Sequence, residues 1–297
     1  MWMFMIIMPI IVLFFEDKGL SLTEIFWLQT VFAVTMIIFE LPSGYICDLL
    51  GRKGTLIVAS VFHGVGYSIF PLADDFIVLA VAEIFLGLGV SLFSGTDTSM
   101  MYDTMSVIAP KKPTIKFIGH MLFYRQMGEF VGAVVGGWIV FYGLHANAVA
   151  NAIVSWLPLV VAYTLKEPPR ELMSKTNHRE NFKYIFSSLF RHSTLLNLLL
   201  LNTVLYAVST LTAVWSYQGR WQEIGIDAKY FGYLWGGCNL FIAILGRYAY
   251  KVEKGIGSTV TLLLFGVTPA LCFCSRQYCE YCSRRCSLLP YTVYPCC

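Results

Sequence analysis

The sequence predicts an all-α membrane protein, a helical bundle with about nine transmembrane helices. Of its 297 residues, 57% are apolar and only 13% are charged, whereas about a quarter of the residues of a soluble domain are charged. The apolar residues form blocks about as long as a helix that crosses a hydrocarbon core of about 30 Å, and short polar turns separate them. Runs such as 77–92 and 195–208 show no alternation of apolar and polar residues, which argues against a transmembrane barrel.

Hydropathy indicates nine candidate spans. In chain order they lie near residues 1–15, 25–46, 55–72, 76–98, 117–142, 146–165, 192–216, 230–250 and 257–274. At about 1.5 Å per residue the first is too short to cross the core, so we expect its true start to lie upstream. It is not a cleavable signal peptide, since it meets Glu16, Asp17 and Lys18 without a small-residue cleavage site.

Lysine and arginine are distributed very unevenly between alternating loops, when Arg125 and the tail are left out. One side holds three of them, Lys18, Arg220 and Lys229. The other side holds fourteen: Arg52, Lys53, Lys111, Lys112, Lys116, Lys166, Arg170, Lys175, Arg179, Lys183, Arg191, Arg247, Lys251 and Lys254. Positively charged loops stay in the cytoplasm. We therefore predict a multi-pass protein of the cell (plasma or inner) membrane in which the second set of loops is cytoplasmic.

The longest polar stretch divides the spans into two groups. Residues 166–190 begin Lys-Glu-Pro-Pro-Arg-Glu and carry mixed charge, as linkers do. We predict an N-terminal bundle of six spans over 1–165, a cytoplasmic linker over 166–190, a partial C-terminal bundle over 191–274 and an anomalous Cys-rich tail over 275–297. Six spans, a linker and further spans are the layout of a transporter built from two helical halves.

A glycine-rich, charged motif lies between the second and third spans. It reads Gly44-Tyr-Ile-Cys-Asp48-Leu-Leu-Gly51-Arg52-Lys53 and resembles the G-x-x-x-D-x-x-G-R-[RK] loop of the major facilitator superfamily. Glycine permits tight turns and close helix approach, and we expect Asp48 at a helix end to accept a hydrogen bond from Arg52. The resemblance implies an MFS-like bundle in which this latch motif holds one access state. The alternative is that Arg52 and Lys53 are ordinary positive-inside anchors.

The glycines of the fifth span carry a second resemblance. They are similar in spacing to the antiporter signature G-x8-G-x3-G-P-x2-G-G of the same superfamily, with Ala133 in place of the proline. The matching residues are Gly119, Gly128, Gly132, Gly136 and Gly137. Three of them recur every fourth residue and share a face where a neighbouring backbone can approach closely. Helix packing and an antiporter role are both consistent with this pattern.

Ionisable side chains inside spans are costly and usually face a cavity or a partner. We take Glu83, Asp97, Arg125 and Glu129 as a candidate proton or substrate site. Arg125 and Glu129 are one turn apart, and this spacing allows them to pair on the same helix face; the alternative is that one carboxylate lacks a permanent partner. Glu83 stands where the superfamily often has an arginine ahead of a glycine. Burial disfavours the charged form of a carboxyl group, so Glu83 is either a group that binds and releases a proton as access alternates or a static hydrogen-bonded glutamate. Residues 94–103 resemble the polar end of this helix in drug-efflux-like members.

Seven of the nine cysteines lie after Leu271. Cys279 and Cys282 form a C-x-x-C pair without a second pair at a standard spacing, so a zinc-binding or acylated tail is one interpretation and a disulfide cluster is another. We favour a shifted reading frame or premature truncation, because the tail interrupts the ninth span and replaces about three helices. In the family those helices would close the second half of the cavity and contact the latch motif.

The predicted function is secondary active transport of a small molecule by alternating access, as a proton- or ion-coupled efflux of lipophilic or drug-like compounds. A metabolite or sugar symporter of the same superfamily is the alternative, and an inactive truncated remnant is another. The expected partners are the lipid bilayer, the substrate and a proton or cation, with the protein as a monomer and without nucleic acid.

An enzyme is not expected, because G-x-S-x-G, H-E-x-x-H and paired intramembrane aspartates are lacking. Residues 51–55 do not fit the phosphate loop G-x-x-x-x-G-K-[ST] of an ATP-driven pump. No metal or other cofactor is expected either, since His63, His120 and His192 have no partners at metal-ligand spacing.

Overall fold

The computed structural model describes residues 3–108, 114–168, 204 and 214–257, which are helical apart from short turns and contain no strand. A 3-10 turn over Met8–Ile10 leads into α1 (Ile11–Asp17), which α2 (Leu22–Leu50), α3 (Arg52–Ile69) and a 3-10 turn over Phe70–Leu72 follow. Next come α4 (Phe76–Ile108), α5 (Thr114–Ile139), a 3-10 turn over Val140–Tyr142, α6 (Leu144–Val154) and α7 (Leu157–Thr164). Helical residues 214–223 form α8, and Ala228–Tyr230 leads into α9 (Phe231–Ile256). The all-α prediction is confirmed.

Four helical segments of the described residues are long and apolar enough to cross a membrane: Leu22–Glu40, Arg52–Leu72, Phe76–Ile108 and Leu144–Thr164. Several helices run beyond the hydropathic spans, and α4 continues ten residues past position 98. The predicted tail lies outside the described residues, as do nearly all of the linker and of the spans over 192–216 and 257–274. The predicted domain boundaries stay predictions.

Two local signals position the ends of α2. Its first turn carries a capping box, in which the hydroxyl of Ser21 accepts from the backbone N–H of Glu24 while the Glu24 carboxylate accepts from the N–H of Ser21. At the other end Gly51 adopts a φ of +93°, a conformation open to glycine and strained for other residues. This glycine separates α2 from α3 with a single residue, so the two helices meet at a sharp turn.

The first predicted span departs most from expectation. Residues 3–7 are not helical, and regular helix is confined to Ile11–Asp17, because Pro9 has no N–H with which to continue a helical ladder. The segment is nevertheless buried, and its free backbone groups are paired by side chains. Asn151 Oδ1 accepts from the N–H groups of Ile6 at 2.8 Å and Ile7 at 3.3 Å. Non-helical backbone at membrane depth is tolerated when protein groups satisfy it in this way.

Gln218 on α8 supports the same segment further along. Its Oε1 accepts from the N–H of Val12 at 3.0 Å, and its Nε2 donates to the carbonyl of Met8 at 3.0 Å. One amide thus satisfies a donor and an acceptor of the irregular backbone. The segment is therefore held by side chains far along the chain rather than by its own helix.

The sixth predicted span is two helices rather than one. The helix ends after Val154 and starts again at Leu157, because Pro158 cannot donate to the preceding turn. The break leaves the carbonyl of Ser155 available, and Nδ1 of His63 lies 3.3 Å from it. A buried histidine of α3 thereby packs against the interruption.

The chain divides into two compact units. The first comprises Met1–Thr176 and Tyr217–Tyr250, and the second comprises Asn177–Ser216 and Lys251–Cys297. In the first unit α4 packs along both α2 and α3, and its buried cluster is formed by Leu56, Ala59, Leu92, Phe93 and Ala162. Of the second unit the structure describes residues 204, 214–216 and 251–257. Every site described below lies in the first unit.

Candidate functional site

Arg52 is the centre of a charged cluster where α2, α3 and α4 meet. Its Nη1 donates to Asp48 Oδ1 at 3.0 Å and contacts Cys47 Sγ at 2.8 Å, while its Nε donates to Asp103 Oδ2 at 2.9 Å. The Arg52 side chain is only 14% exposed, so water screens these bonds weakly. A guanidinium suits this position because its donors are fixed in a fork that can serve two carboxylates at once.

The beginning of α3 is capped from the end of α7. Glu167 accepts the backbone N–H of Arg52 on Oε1 and that of Lys53 on Oε2, both at 2.7 Å. These N–H groups have no partner within their own helix, and a negative charge here is favoured by the helix dipole. Lys53 Nζ donates in turn to the carbonyl of Tyr163 at 2.7 Å. The latch motif is thus tied to the end of the sixth span as well as to α4.

The two glycines of the latch motif have different surroundings. Gly51 makes the turn with positive φ, whereas a Cβ built at Gly44 would meet no atom within 4 Å. The close helix approach expected at Gly44 is therefore not found among the described residues. Of these two glycines, only Gly51 has a backbone conformation that favours glycine.

Glu83 lies near the beginning of α4 and is 3% exposed. The amide Nε2 of Gln29 on α2 donates to its Oε1 at 3.1 Å. One turn further along α4, a Cβ at Gly87 would come within 2.9 Å of the Thr35 side chain and 3.0 Å of the Phe32 carbonyl. The glycine lets α2 approach closely, which brings the neutral amide of Gln29 to the carboxyl of Glu83.

Glu129 on α5 has a hydrogen-bond donor that sequence reasoning did not identify. It is buried, and its Oε1 accepts a hydrogen bond at 3.1 Å from the indole N–H of Trp235 on α9. Arg125, one turn earlier on α5, also interacts with it electrostatically. A second polar bond runs parallel to it, from Gln126 Nε2 to Asn239 Oδ1 at 3.0 Å. The α5–α9 contact therefore contains a row of polar side chains that includes a carboxyl group.

Tyr67 on α3 is a buried phenol within electrostatic range of both buried carboxyl groups. Its phenol interacts electrostatically with both Glu83 and Glu129, and its hydroxyl donates to the sulfur of Met5 at 3.0 Å. The imidazole of His63 packs edge-on against its ring at a centroid distance of 4.9 Å. We refer to Glu83, Tyr67 and Glu129, which are buried on α4, α3 and α5, as the buried polar group.

Asp97 and Arg125 lie elsewhere. Both line a cavity of about 510 Å³ that is bounded by α3, α4, α5 and α7 and the residues just after α7. Neither Glu83 nor Glu129 contributes to its lining. Of the four residues predicted as one site, two line this cavity and two do not, and Arg125 interacts electrostatically with Glu129.

The glycines of α5 meet two different neighbours. A Cβ at Gly132 would lie 2.9 Å from the carbonyl oxygen of Met5, and one at Gly136 would collide with the carbonyl of Ile6. Both glycines make room for the irregular N-terminal segment. A Cβ at Gly128 would meet nothing within 4 Å, so the close approach expected along all three glycines is seen at only two of them.

Gly119 and Gly137 face α9 instead. A Cβ at Gly137 would lie 3.1 Å from the Cα of Gly232, and a Cβ at Gly119 would lie 3.5 Å from the carbonyl of Gly246. The backbones of α5 and α9 approach most closely where glycine faces glycine, as in tightly packed membrane helices. This contact carries the hydrogen bond between Trp235 and Glu129.

Within residues 3–108, 114–168, 204 and 214–257, no group of three or more His, Cys, Asp or Glu side chains is arranged to hold a metal ion. Sequence reasoning missed Gln29, Trp235, Asp103 and Glu167 as partners of the candidate residues. Asp103 and Glu167 stand beside recognisable polar stretches, but nothing local indicates that they meet Arg52.

Comparison with known proteins identifies the family of the chain. The family model described as the Major Facilitator Superfamily matches residues 1–276. An uncharacterized MFS-type transporter of Methanocaldococcus jannaschii is 21% identical over 267 residues, which is 86% of this chain. The chain spans 66% of that relative's length, slightly less than two thirds. The family match includes the latch motif, both buried carboxyl groups and the glycines of α5. The chain is a multi-pass membrane protein that belongs to the Major Facilitator Superfamily.

Proposed function

We propose that the protein is a secondary active transporter, which moves a small molecule by alternating access and couples that movement to protons. Family membership supports transport. The buried carboxyl group of Glu83, which is held by a neutral amide, is the observation that supports proton coupling. The protein is proposed to work as a monomer in the plasma or inner membrane, with the loops that hold Arg52, Lys111, 166–183 and Arg247 in the cytoplasm, and the antiporter-like glycines favour efflux.

A neutral partner is what a proton-binding site requires. An arginine or lysine beside Glu83 would stabilise the carboxylate and hold it ionised. Gln29 instead donates to an oxygen that can accept whether or not the group carries a proton. Burial in a medium of low dielectric constant favours the neutral acid, and access to water favours the ion. Glu83 would therefore bind a proton when closed off and release it when opened to water.

Glu129 supplies a connection to the helices that follow the linker. Its hydrogen-bond donor, Trp235, lies on α9, so separation of α5 from α9 would remove that bond and admit water to the carboxyl group. Access to water would favour the ionised form of Glu129, and closure of the α5–α9 contact would favour the protonated form.

The test compares Glu83→Gln with Glu40→Gln in purified, reconstituted protein. Glu40 is exposed and accepts a hydrogen bond from Ser94, so it is a glutamate of a neighbouring helix outside the buried polar group. The infrared band of a protonated carboxylic acid should change with pH in the wild type and in Glu40→Gln, and it should be diminished in Glu83→Gln.

Transport is measured in the same liposomes as uptake of a lipophilic dye, N-phenyl-1-naphthylamine, under an imposed pH gradient. We expect the gradient to drive accumulation in the wild type and in Glu40→Gln but not in Glu83→Gln. Gradient-driven accumulation that survives unchanged in Glu83→Gln would contradict the proposed role of this glutamate. An absence of any saturable, gradient-dependent flux would favour the inactive remnant.

A further inference from the structure

We propose that the cavity bounded by α3, α4, α5 and α7 is a binding site for a lipophilic small molecule that carries no net charge. None of the three residues of the buried polar group, Glu83, Tyr67 and Glu129, is among its described lining residues. Its occupation does not depend on the transport proposed above, since its lining residues come from four elements of a single bundle.

The position of the cavity distinguishes it from a cleft between the two halves of the chain. All of its described lining residues lie between Leu56 and Leu165, and none comes from 214–257. Along α4 the lining recurs at Phe93, Asp97, Met101 and Thr104, which is the spacing of one helix face. Because helices rather than loops form the walls, the cavity exists before a ligand arrives.

The size and the walls suit a small apolar molecule. About 510 Å³ falls within the range of about 300–1,000 Å³ typical of small-molecule sites. Four of the protein's eleven methionines line this one space, Met100, Met101, Met105 and Met121. Methionine is unbranched and polarizable and adapts its shape to different apolar partners. The lining therefore favours lipophilic ligands of varied outline over one rigid shape.

The charges of the lining select against charged ligands. Among the described lining residues, one is acidic, Asp97, and one is basic, Arg125. Asp97 would attract a cationic ligand and Arg125 would repel it. An anionic ligand would be attracted by Arg125 and repelled by Asp97. A buried ligand charge without a net counter-charge loses its hydration without full compensation. Hydroxyl groups of Thr104 and Tyr124 can orient polar atoms of an uncharged molecule.

The direct test uses two dyes that share one skeleton. N-Phenyl-1-naphthylamine is uncharged, and 1-anilinonaphthalene-8-sulfonate is the same molecule with a sulfonate. The full chain is placed in lipid nanodiscs, the dye is excited directly, and the signal of empty nanodiscs is subtracted. We expect saturable binding of the uncharged dye and binding of the sulfonate that is at least about tenfold weaker, a difference of about 1.4 kcal/mol. Tetraphenylphosphonium, a lipophilic cation, should displace neither.

The location is tested with paired substitutions on α7. Val161 lines the cavity, and its neighbour Val160 is 62% exposed on the other side of the helix. Val161→Trp fills the space and should weaken binding of the uncharged dye at least about tenfold, whereas Val160→Trp should leave it unchanged. If Val161→Trp fails to fold, as judged by size-exclusion chromatography and circular dichroism, Met105→Trp in the lining of α4 and exposed Val107→Trp form the second pair.

The outcomes separate this inference from the transport proposal. Equal loss or equal retention in both members of a pair, or preference for the anionic dye or the cation, would overturn the assignment of the cavity. Saturable binding that is lost only in the lining variants supports it even where no dye flux is measured. Loss of dye binding in Val161→Trp with unchanged Glu83-dependent flux would support the binding site and the transport proposal independently.

Discussion

Asp103 accepts a hydrogen bond from Nε of Arg52 at 2.9 Å, which ties the last turns of α4 to the first turn of α3. The same guanidinium also reaches Asp48 at the end of α2. One arginine thereby joins three helix ends, and the turn at Gly51 places it there. The latch motif thus acts within the described residues as a junction between α2, α3 and α4.

Replacing this arginine by lysine should weaken the junction although the charge is kept. A lysine ammonium lacks the planar fork that serves Asp48 and Asp103 together, so Arg52→Lys should lower the free energy of unfolding by about 1–3 kcal/mol. Thermal unfolding of the purified protein measures this. Arg220→Lys is the control, because the pair between Arg220 and Glu223 is largely exposed and should change stability little. Equal effects at the two positions would contradict the assigned role of Arg52.

The glycines of α5 should differ sharply in their tolerance of alanine. Gly136→Ala places a Cβ against the carbonyl of Ile6, and relieving that collision should cost about 1–3 kcal/mol. Gly128→Ala meets open space and should be neutral or stabilise by up to about 1 kcal/mol, since alanine reduces the entropy of the unfolded chain. Both are read from thermal midpoints in one detergent. A destabilised Gly128→Ala would show that this glycine is also packed.

Asn151 should be essential for the irregular N-terminal segment. Asn151→Leu removes the acceptor of the Ile6 and Ile7 N–H groups, and each buried donor left unpaired costs about 1–3 kcal/mol. The variant should unfold at a lower temperature and exchange the amide hydrogens of residues 6 and 7 faster. Val149→Leu, on the exposed side of the same helix, should do neither. Unchanged exchange in Asn151→Leu would mean that other groups satisfy this backbone.

The ion pair between Lys18 and Asp74 should make the thermal stability of the protein depend on pH in the acidic range. The hydrogen bond from Lys18, 2.9 Å long, lowers the pKa of Asp74 from its usual value. Because the pKa of Asp74 is lower in the folded than in the unfolded protein, the ion pair stabilises the fold at pH values above the unfolded pKa of about 3.9. This stabilisation is lost as the pH falls through the lower pKa of the folded protein. Because Asp74 is 88% exposed, the contribution is small.

The corresponding measurement compares thermal midpoints of the wild type and Asp74→Asn between about pH 6 and pH 3. The wild type should be slightly more stable at the higher pH, and the two should converge in acid. Asp75→Asn, at the neighbouring position, should keep the wild-type profile. A gap between wild type and Asp74→Asn that persists at the lowest pH would contradict the ion pair.

Local sequence patterns were sufficient to predict the helical class and the positions of α2 to α5. Long apolar blocks predicted helices because a helix that satisfies its own backbone is what an apolar environment permits, and α2 to α5 lie where hydropathy placed spans. The turn at Gly51 and the nearness of Asp48 to Arg52 also lie within reach of sequence, since residues four apart on a helix share a face. Pro9 and Pro158 lie where the first and sixth predicted spans are interrupted. Hydropathy is averaged over a whole span, so it did not reveal these interruptions.

The partners of the buried groups were decided by tertiary structure. Trp235 meets Glu129 across 106 positions, Glu167 meets Arg52 across 115, and Gln29 meets Glu83 across 54. Each contact exists because helices pack at particular places, often where a glycine admits a second backbone, and no local pattern encodes that choice.

The sequence by itself therefore determined the membrane environment, the helical class and the superfamily, because these follow from hydrophobicity and short motifs. Only the tertiary structure placed Asp97 and Arg125, but neither Glu83 nor Glu129, in the lining of the cavity, because helix packing decides which side chains share one buried space.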